Sequence, residues 1–336
     1  MIAGTLRADL HVHTCHSRQS GSMKFLRSRD CFSKPEDVYR VARARGMDLV
    51  CITDHDSIDG GLELIARHPD EVIVGEEITC WLPDGNVEVH IGAYGMTEAL
   101  HRDVQRFSRN VFDVTACLRE AGVFFVLNHL LHFYRGQLPL ADYLRLLDEV
   151  PGMEARNGTM LPAHNALCEQ VSAAYSGRRL AAVGGSDAHT LRRVGTTWTA
   201  APGRTREEFL ASLRQAACAP GGRHGHTGAV AGDAYGVVGS YVAALAGFGP
   251  RDLTGWRRAG CIAFALVSPP MQILPLAIAA ARKHAERRTV ARVSHQLADI
   301  LRPLKPAAAN PEPRAPNAEA HMSVLARSAR TESPLQ

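Results

Sequence analysis

Residues 35–56 read PEDVYRVARARGMDLVCITDHD, one complete helix-to-strand unit. Pro35 stands where a first helical turn tolerates a missing N–H, apolar residues recur at helical spacing, and Gly46 stops the helix. Met47–Ile52 then reads as a buried strand that ends on Thr53-Asp54-His55-Asp56. Three ionisable groups in a row at that point are poor core material, because unpaired buried charge is heavily penalised. They form either a solvated loop with an acidic helix cap or a metal site with His55 as ligand, and the second reading is favoured.

The same pattern recurs through the first two hundred or so residues. LRADLHVH, MDLVCITDH, EVIVGEE, VEVHIGAYG, VFFVLNH, GMEARNG and LAAVGGSDAH read as strands, each ending on polar or metal-capable residues. RDVQRFSRNVFDVTACLREAG and PLADYLRLLDEV read as crossover helices. Strands alternating with helices imply parallel pairing with right-handed crossovers, and about seven such units nearly close a barrel with its chemistry at the carboxyl ends of the strands.

The histidines and acids lie at those ends. His11 and His13, two residues apart on a strand, project from one face and can grip one metal. One carboxylate of Glu76-Glu77 can bridge two ions, and the strand register decides which. His90 and His129 follow apolar runs, and in Gly184-Gly185-Ser186-Asp187-Ala188-His189 the small residues allow close backbone approach while Asp187 and His189 share a face. A lone histidine after a strand is ordinarily a structural residue; repetition at successive strand ends argues for ligands. The N/O set suits zinc, iron or manganese and is too large for one tetrahedral ion, so two or three divalent ions are expected.

Composition narrows the rest. The eight cysteines are scattered with no C-x-x-C pair, which fits a reducing, cytoplasmic compartment, and the N-terminus lacks the pattern of a signal peptide. The net charge of +4 comes from residues 282–336, which hold ten Lys/Arg and five Asp/Glu; the remainder has 28 basic and 29 acidic residues. A near-neutral body argues against stable binding of duplex nucleic acid. The charge-free run Ala259–Ala281 is long enough for a bilayer span, so residues 228–281 are read either as contacting a membrane or partner or as helices packed on the barrel. From Lys305 the Pro/Ala-rich sequence reads as disordered.

The series DLHVHT, ITDHDSIDG, GEEIT, NH and GGSDAH, in this order, resembles the PHP (polymerase and histidinol phosphatase) family over roughly residues 5–200. The resemblance implies a distorted (β/α)7 TIM-like barrel, placed over residues 1–225; composition adds an apolar helical region, 226–303, and a tail, 304–336. It implies a phosphoric ester hydrolase with up to three metals. His11, His13, Glu77 and Asp187 would hold the first, Glu77 and His129 with His90 the second, and His55 and His189 the third. His55, Asp187 and His189 are the expected catalytic residues, with a metal-acidified water attacking phosphorus in line. Arg18, Arg135, Arg156 and Arg192 are candidate phosphate contacts, and Asp54 and Asp56 are expected to orient imidazoles.

The wording ITDHDSIDG resembles members that cleave nucleotides and small phosphoesters, so a small phosphorylated substrate is expected. A phosphodiesterase or exonuclease on nucleic acid ends and a metal-stabilised regulatory module are the alternatives. One departure stands out: where many members carry an acid after the first histidine pair, this chain has Arg18. The third metal is then either weakly held or supplied by His16 or by a residue of Gln19–Ser33.

Overall fold

Each of the seven stretches read as strands forms one in the computed structural model, which describes residues 4–18, 29–131, 139–174, 180–247, 255–267 and 273–297. They are β1 (Thr5–Asp9), β2 (Leu49–Ile52), β3 (Val72–Trp81), β4 (Glu88–Tyr94), β5 (Phe124–Leu127), β6 (Gly152–Asn157) and β7 (Ala181–Gly185). Two further strands, β8 (Thr197–Pro202) and β9 (Ala219–Gly222), complete one sheet ordered β7-β6-β5-β4-β3-β2-β1-β8-β9.

The sheet curls until its first and seventh strands meet at their carboxyl ends. Val12 bridges Ala188 in parallel, with His13 N donating to Ala188 O at 3.1 Å and Ala188 N to His11 O at 3.3 Å. Nearer the strand starts β8 pairs antiparallel with β1, and its Thr199 Oγ1 accepts from Gly184 N and donates to Gly184 O. The result is a nearly closed, distorted barrel. Ala8, Cys51, Ile73, Tyr94, Val126 and Val183, from six of its strands, share one apolar cluster with Phe209 and Leu213 of α7 (Arg206–Arg214).

Two expectations are corrected. Pairing is not parallel throughout, because β4 runs antiparallel to both β3 and β5. Leu82 N donates to Val87 O at 3.0 Å across a tight turn, and a connection that short makes a hairpin, since a parallel crossover needs a dozen or more residues. The segment 102–122 is two helices, α3 (Glu98–Phe107) and α4 (Val111–Glu120), because Asn110 Oδ1 caps a new helix by accepting from Phe112 N at 3.1 Å. Elsewhere α1 (Pro35–Ala44) starts on its proline, α2 (Asp59–Ile65) follows β2, and α5 (Leu140–Glu149) and α6 (Pro162–Ala174) flank β6.

Beyond residue 226 come α8 (Thr227–Leu245), α9 (Gly255–Val267) and α10 (Leu274–Gln296). Of the charge-free run, residues 259–267 lie in α9 and 274–281 in α10, and among the described residues no helix is long and apolar enough to cross a membrane. Instead α10 buries a stripe at helical spacing, Ala279, Lys283, Glu286, Val290 and Val293. Val290, Val293 and Leu297 join the core formed with Tyr143 and Leu146 of α5 and Leu167 and Val171 of α6. At roughly 1.5–3 kcal/mol for each buried valine or leucine, that contact fastens α10 to the barrel. Residues 1–301 form one compact unit, and the tail read as disordered lies outside the described residues.

Candidate metal centre

His11 and His13 flank Val12 on the extension of β1. Val12 packs outward among Val38 and Ala42 of α1, so both imidazoles face the barrel axis, with ring centroids 5.1 Å apart. A Cβ on Gly185 would lie 2.3 Å from His11 Cβ, so glycine there lets β7 pass beside β1. His55 enters from the end of β2, Glu77 from β3, His90 from β4, His129 from the end of β5, and Asp187 and His189 from the end of β7. Asp56, His129 and Asp187 have positive φ (48°, 26° and 53°), a costly backbone state for non-glycine residues that recurs where chains turn into functional sites.

Glu77 lies at the middle of this ring of side chains. Its Oε2 is 3.1 Å from His11 Nε2, 3.3 Å from His13 Nε2 and 3.2 Å from His55 Nδ1. Its Oε1 is 3.1 Å from His90 Nδ1 and 3.0 Å from His129 Nε2, and accepts from Asn128 Nδ2 at 2.9 Å. Asp187 Oδ1 faces His11, His13 and His189 at 3.7, 3.6 and 3.5 Å. Glu76 points the other way, its Oε1 2.9 Å from both His101 Nδ1 and Gln105 Nε2, which answers the register question.

The ligand atoms group as His11-His13-Asp187, His11-Glu77-His129, His55-Glu77-His90 and His13-His55-His189, each within 4.8 Å of one another. These groups overlap the three sets expected from the sequence, with His90 joined to His55. The donors fit divalent cations: His13 Nε2 and His55 Nδ1 are buried without a hydrogen bond although they point into the cluster. Imidazole and carboxylate together are the N/O chemistry of zinc, iron or manganese sites.

Electrostatics bind the cluster tightly. Burial opposes charge on His11, yet Glu77, Glu154 and Asp187 outweigh it and hold its pKa well above the ordinary value. Burial is likewise overcome at His13, raised to about 10 by Asp187 and Glu77, and at His90, raised to about 9 by Glu77 and Glu88. At His55 burial and the neighbouring imidazoles prevail over Glu77 and keep the ring neutral. For Glu77 and Asp187 burial is overcome by the surrounding imidazoles, and both pKa values fall well below the carboxylate norm. A cation entering the cluster would displace the imidazole protons, so its binding releases protons and weakens in acid.

The surrounding groups set ring orientation. Ser17 Oγ, 3.1 Å from His13 Nδ1, donates to Asp54 Oδ1, so Asp54 positions His13 through a serine. Asp56 accepts from Thr79 N at 2.8 Å and touches no imidazole of the cluster among the described contacts. Two acids passed over in the sequence are central. Glu154 Oε1 lies 2.9 Å from His11 Nδ1 while its Oε2 accepts from His129 N and Asn157 Nδ2, both at 2.9 Å. Asp9 accepts from Ser186 N (2.8 Å), Gly195 N (2.7 Å) and His11 N (3.3 Å), holding the β7 end beside β1. Their signal was an acid between two apolar residues, Ala8-Asp9-Leu10 and Met153-Glu154-Ala155, where burial is costly unless the acid is partnered.

The arginines divide. Arg18 and Arg192 are exposed beside the strand-end loops, whereas the Arg156 guanidinium is paired with Glu169 Oε1 at 2.8 and 2.6 Å. Arg135 lies outside the described residues.

Residues 166–218, which include Asp187 and His189, match the family model PHP_C, described as PHP-associated. That stretch of the chain is similar to the PHP-associated family. An uncharacterized protein of Methanocaldococcus jannaschii is 38% identical over 78 residues, 22% of this chain and 44% of that protein, so the match spans less than half of the relative. Among solved structures, a two-domain protein of Bacteroides vulgatus containing a predicted PHP-like metal-dependent phosphoesterase aligns over 66% of each chain at 19% identity and TM-score 0.46. PsfC from Pseudomonas syringae aligns over 64% of this chain and 91% of its own at 18% identity and TM-score 0.42.

Proposed function

We propose that this chain is a metal-dependent phosphoesterase that hydrolyses a small phosphate ester, with nucleotide-derived esters as the first class to test. The observation that carries the reading is Glu77, one buried carboxylate between five imidazoles with Asp187 beside it, a donor set suited to more than one divalent ion. Bound divalent ions supply a water acidified to a pKa near ~7 and neutralise phosphoryl oxygens.

The chain's own residues do the positioning. Glu154 on His11 Nδ1 and Ser17 on His13 Nδ1 leave the Nε2 atoms of both rings directed inward. His55 stays neutral through burial, so its lone pair remains available. His189, 27% exposed where Asp187 is 9% exposed, marks the side from which an ester arrives, and His55, Asp187 and His189 line that approach as the catalytic face. Arg18 and Arg192 are the arginines we assign to the phosphate, by planar hydrogen bonding. The near-neutral body favours a small substrate over a duplex.

The test is phosphate release by the metal-loaded protein from a mixed panel of phosphomonoesters and nucleotides. Turnover that chelation abolishes, and that Asp187→Asn loses together with metal, is the expected result. No release from any substrate, with metal content unchanged in His11→Ala and Asp187→Asn, would refute the proposal.

A further inference from the structure

We propose that Asp30 supplies the carboxylate of a third cation site with His13, His55 and His189, in place of the acid for which this chain has Arg18. The inference rests on the reading of the cluster as a metal centre and goes beyond the ligands that the motifs assign.

The ring nitrogens of His13, His55 and His189 converge within 4.8 Å, so three imidazole nitrogens meet there. Asp30 Oδ2 faces two of them, 3.6 Å from His55 Nε2 and 4.0 Å from His189 Nε2. Both carboxylate oxygens of Asp30 are buried and make no hydrogen bond among the described residues. A buried carboxylate without donors forfeits its hydration for nothing unless a cation replaces the water.

The segment holding Asp30 is anchored to β1 rather than resting loosely against it. Cys31 Sγ donates to His13 O at 3.2 Å, and Cys15 N donates to Ser33 O at 2.8 Å. The competing candidate, His16, is turned away: its Nε2 lies 3.1 Å from Glu63 Oε2, where both side chains are about one-third exposed. Arg18 itself is exposed. The acid therefore comes from beyond the segment 19–28 and completes a three-nitrogen, one-oxygen set that zinc, iron and manganese accept. Because His189 is the exposed member, a cation here sits on the outward side of the cluster.

The experiment is a Mn²⁺ titration of the metal-free full-length chain, with free Mn²⁺ counted by electron paramagnetic resonance, for wild type, Asp30→Asn, Asp30→Glu and His16→Gln. Asp30→Asn is isosteric and has no hydrogen bond to lose. It should weaken one ion by on the order of 10–100-fold or more and leave the others in place. Asp30→Glu should fall between Asp30→Asn and wild type, and His16→Gln should match wild type. Unchanged stoichiometry and affinity in Asp30→Asn, equal loss in the Asn and Glu variants, or loss in His16→Gln would overturn the assignment of Asp30 alone. A wild-type chain that binds no Mn²⁺ would overturn the metal-centre reading, and this inference with it.

Discussion

Truncating Glu286 to alanine tests whether the C-terminal helices belong to the barrel. Glu286 is 1% exposed and Lys283 5%, and the two meet at 2.5 Å on the inner face of α10. Glu286 Oε1 also accepts from Leu161 N at 2.7 Å, and Lys283 Nζ donates to Thr159 O at 2.7 Å, so both charges are fastened to the connection after β6. Glu286→Ala leaves a buried ammonium and a buried N–H without their partner. Breaking a buried pair in this way costs about 3–5 kcal/mol, a large part of the ~5–15 kcal/mol that keeps a domain folded. Lys283→Met with Glu286→Leu removes both charges together and should cost less than Glu286→Ala alone. Urea unfolding followed by circular dichroism reads both. The single variant should also bind metal less tightly, because Thr159 Oγ1 donates to Asp187 Oδ2 at 3.0 Å. A Glu286→Ala midpoint indistinguishable from wild type would refute the docking of α10 and leave the region after residue 226 independent of the metal centre.

Two further outcomes follow. Burial lowers the His164 pKa from 6.5 to about 4, with Leu131 N donating to its Nε2 and Nδ1 facing Asn165 Oδ1. The unfolded chain takes up this proton near 6.5 and the folded chain only near 4. The residue's contribution is thus complete above the first value and lost as pH falls to the second, about 3 kcal/mol in all. Denaturation across that range should show the loss in wild type and not in His164→Gln, and parallel curves would sink the argument. Glu77→Gln takes the negative charge from between five imidazoles and should lower metal affinity by on the order of 100-fold or more, read by elemental analysis after dialysis against a chelator; full retention of metal would exclude Glu77 as a bridge.

The barrel was legible because its strands share one grammar, a short apolar run ending in polar residues, and His11 with His13 declared a common face through period two. The same grammar hid the hairpin: VEVHIGAYG looks like any other strand, and the direction of β4 depends on how few residues separate Leu82 from Val87. Asn110, a good helix cap, was the local sign that 102–122 is two helices. Glu154 and Asp9 went unread because each is a lone acid with no histidine directly beside it, and several of its partners come from distant parts of the chain. Lys283 and Glu286 look like surface charges on a basic helix, and only the packing of α10 shows that they face inward.

The placement of those charges bears on the chemistry. The chain after residue 226 makes polar contact with two connections that serve the metal centre. On the one after β7, Arg193 Nε pairs with Asp233 Oδ2 of α8 at 3.1 Å and Thr190 Oγ1 donates to Asp233 at 3.2 Å. On the one after β6, α10 holds Thr159 and Leu161. Asp187 lies between them, receiving Thr159 Oγ1 from one side and followed on the other by His189 and Thr190. Loops of this kind are ordinarily the most mobile part of a barrel, and a centre that needs its ligands held to within about half an ångström cannot rest on mobile loops. Helices α8 and α10 supply that restraint as the outer support of Asp187.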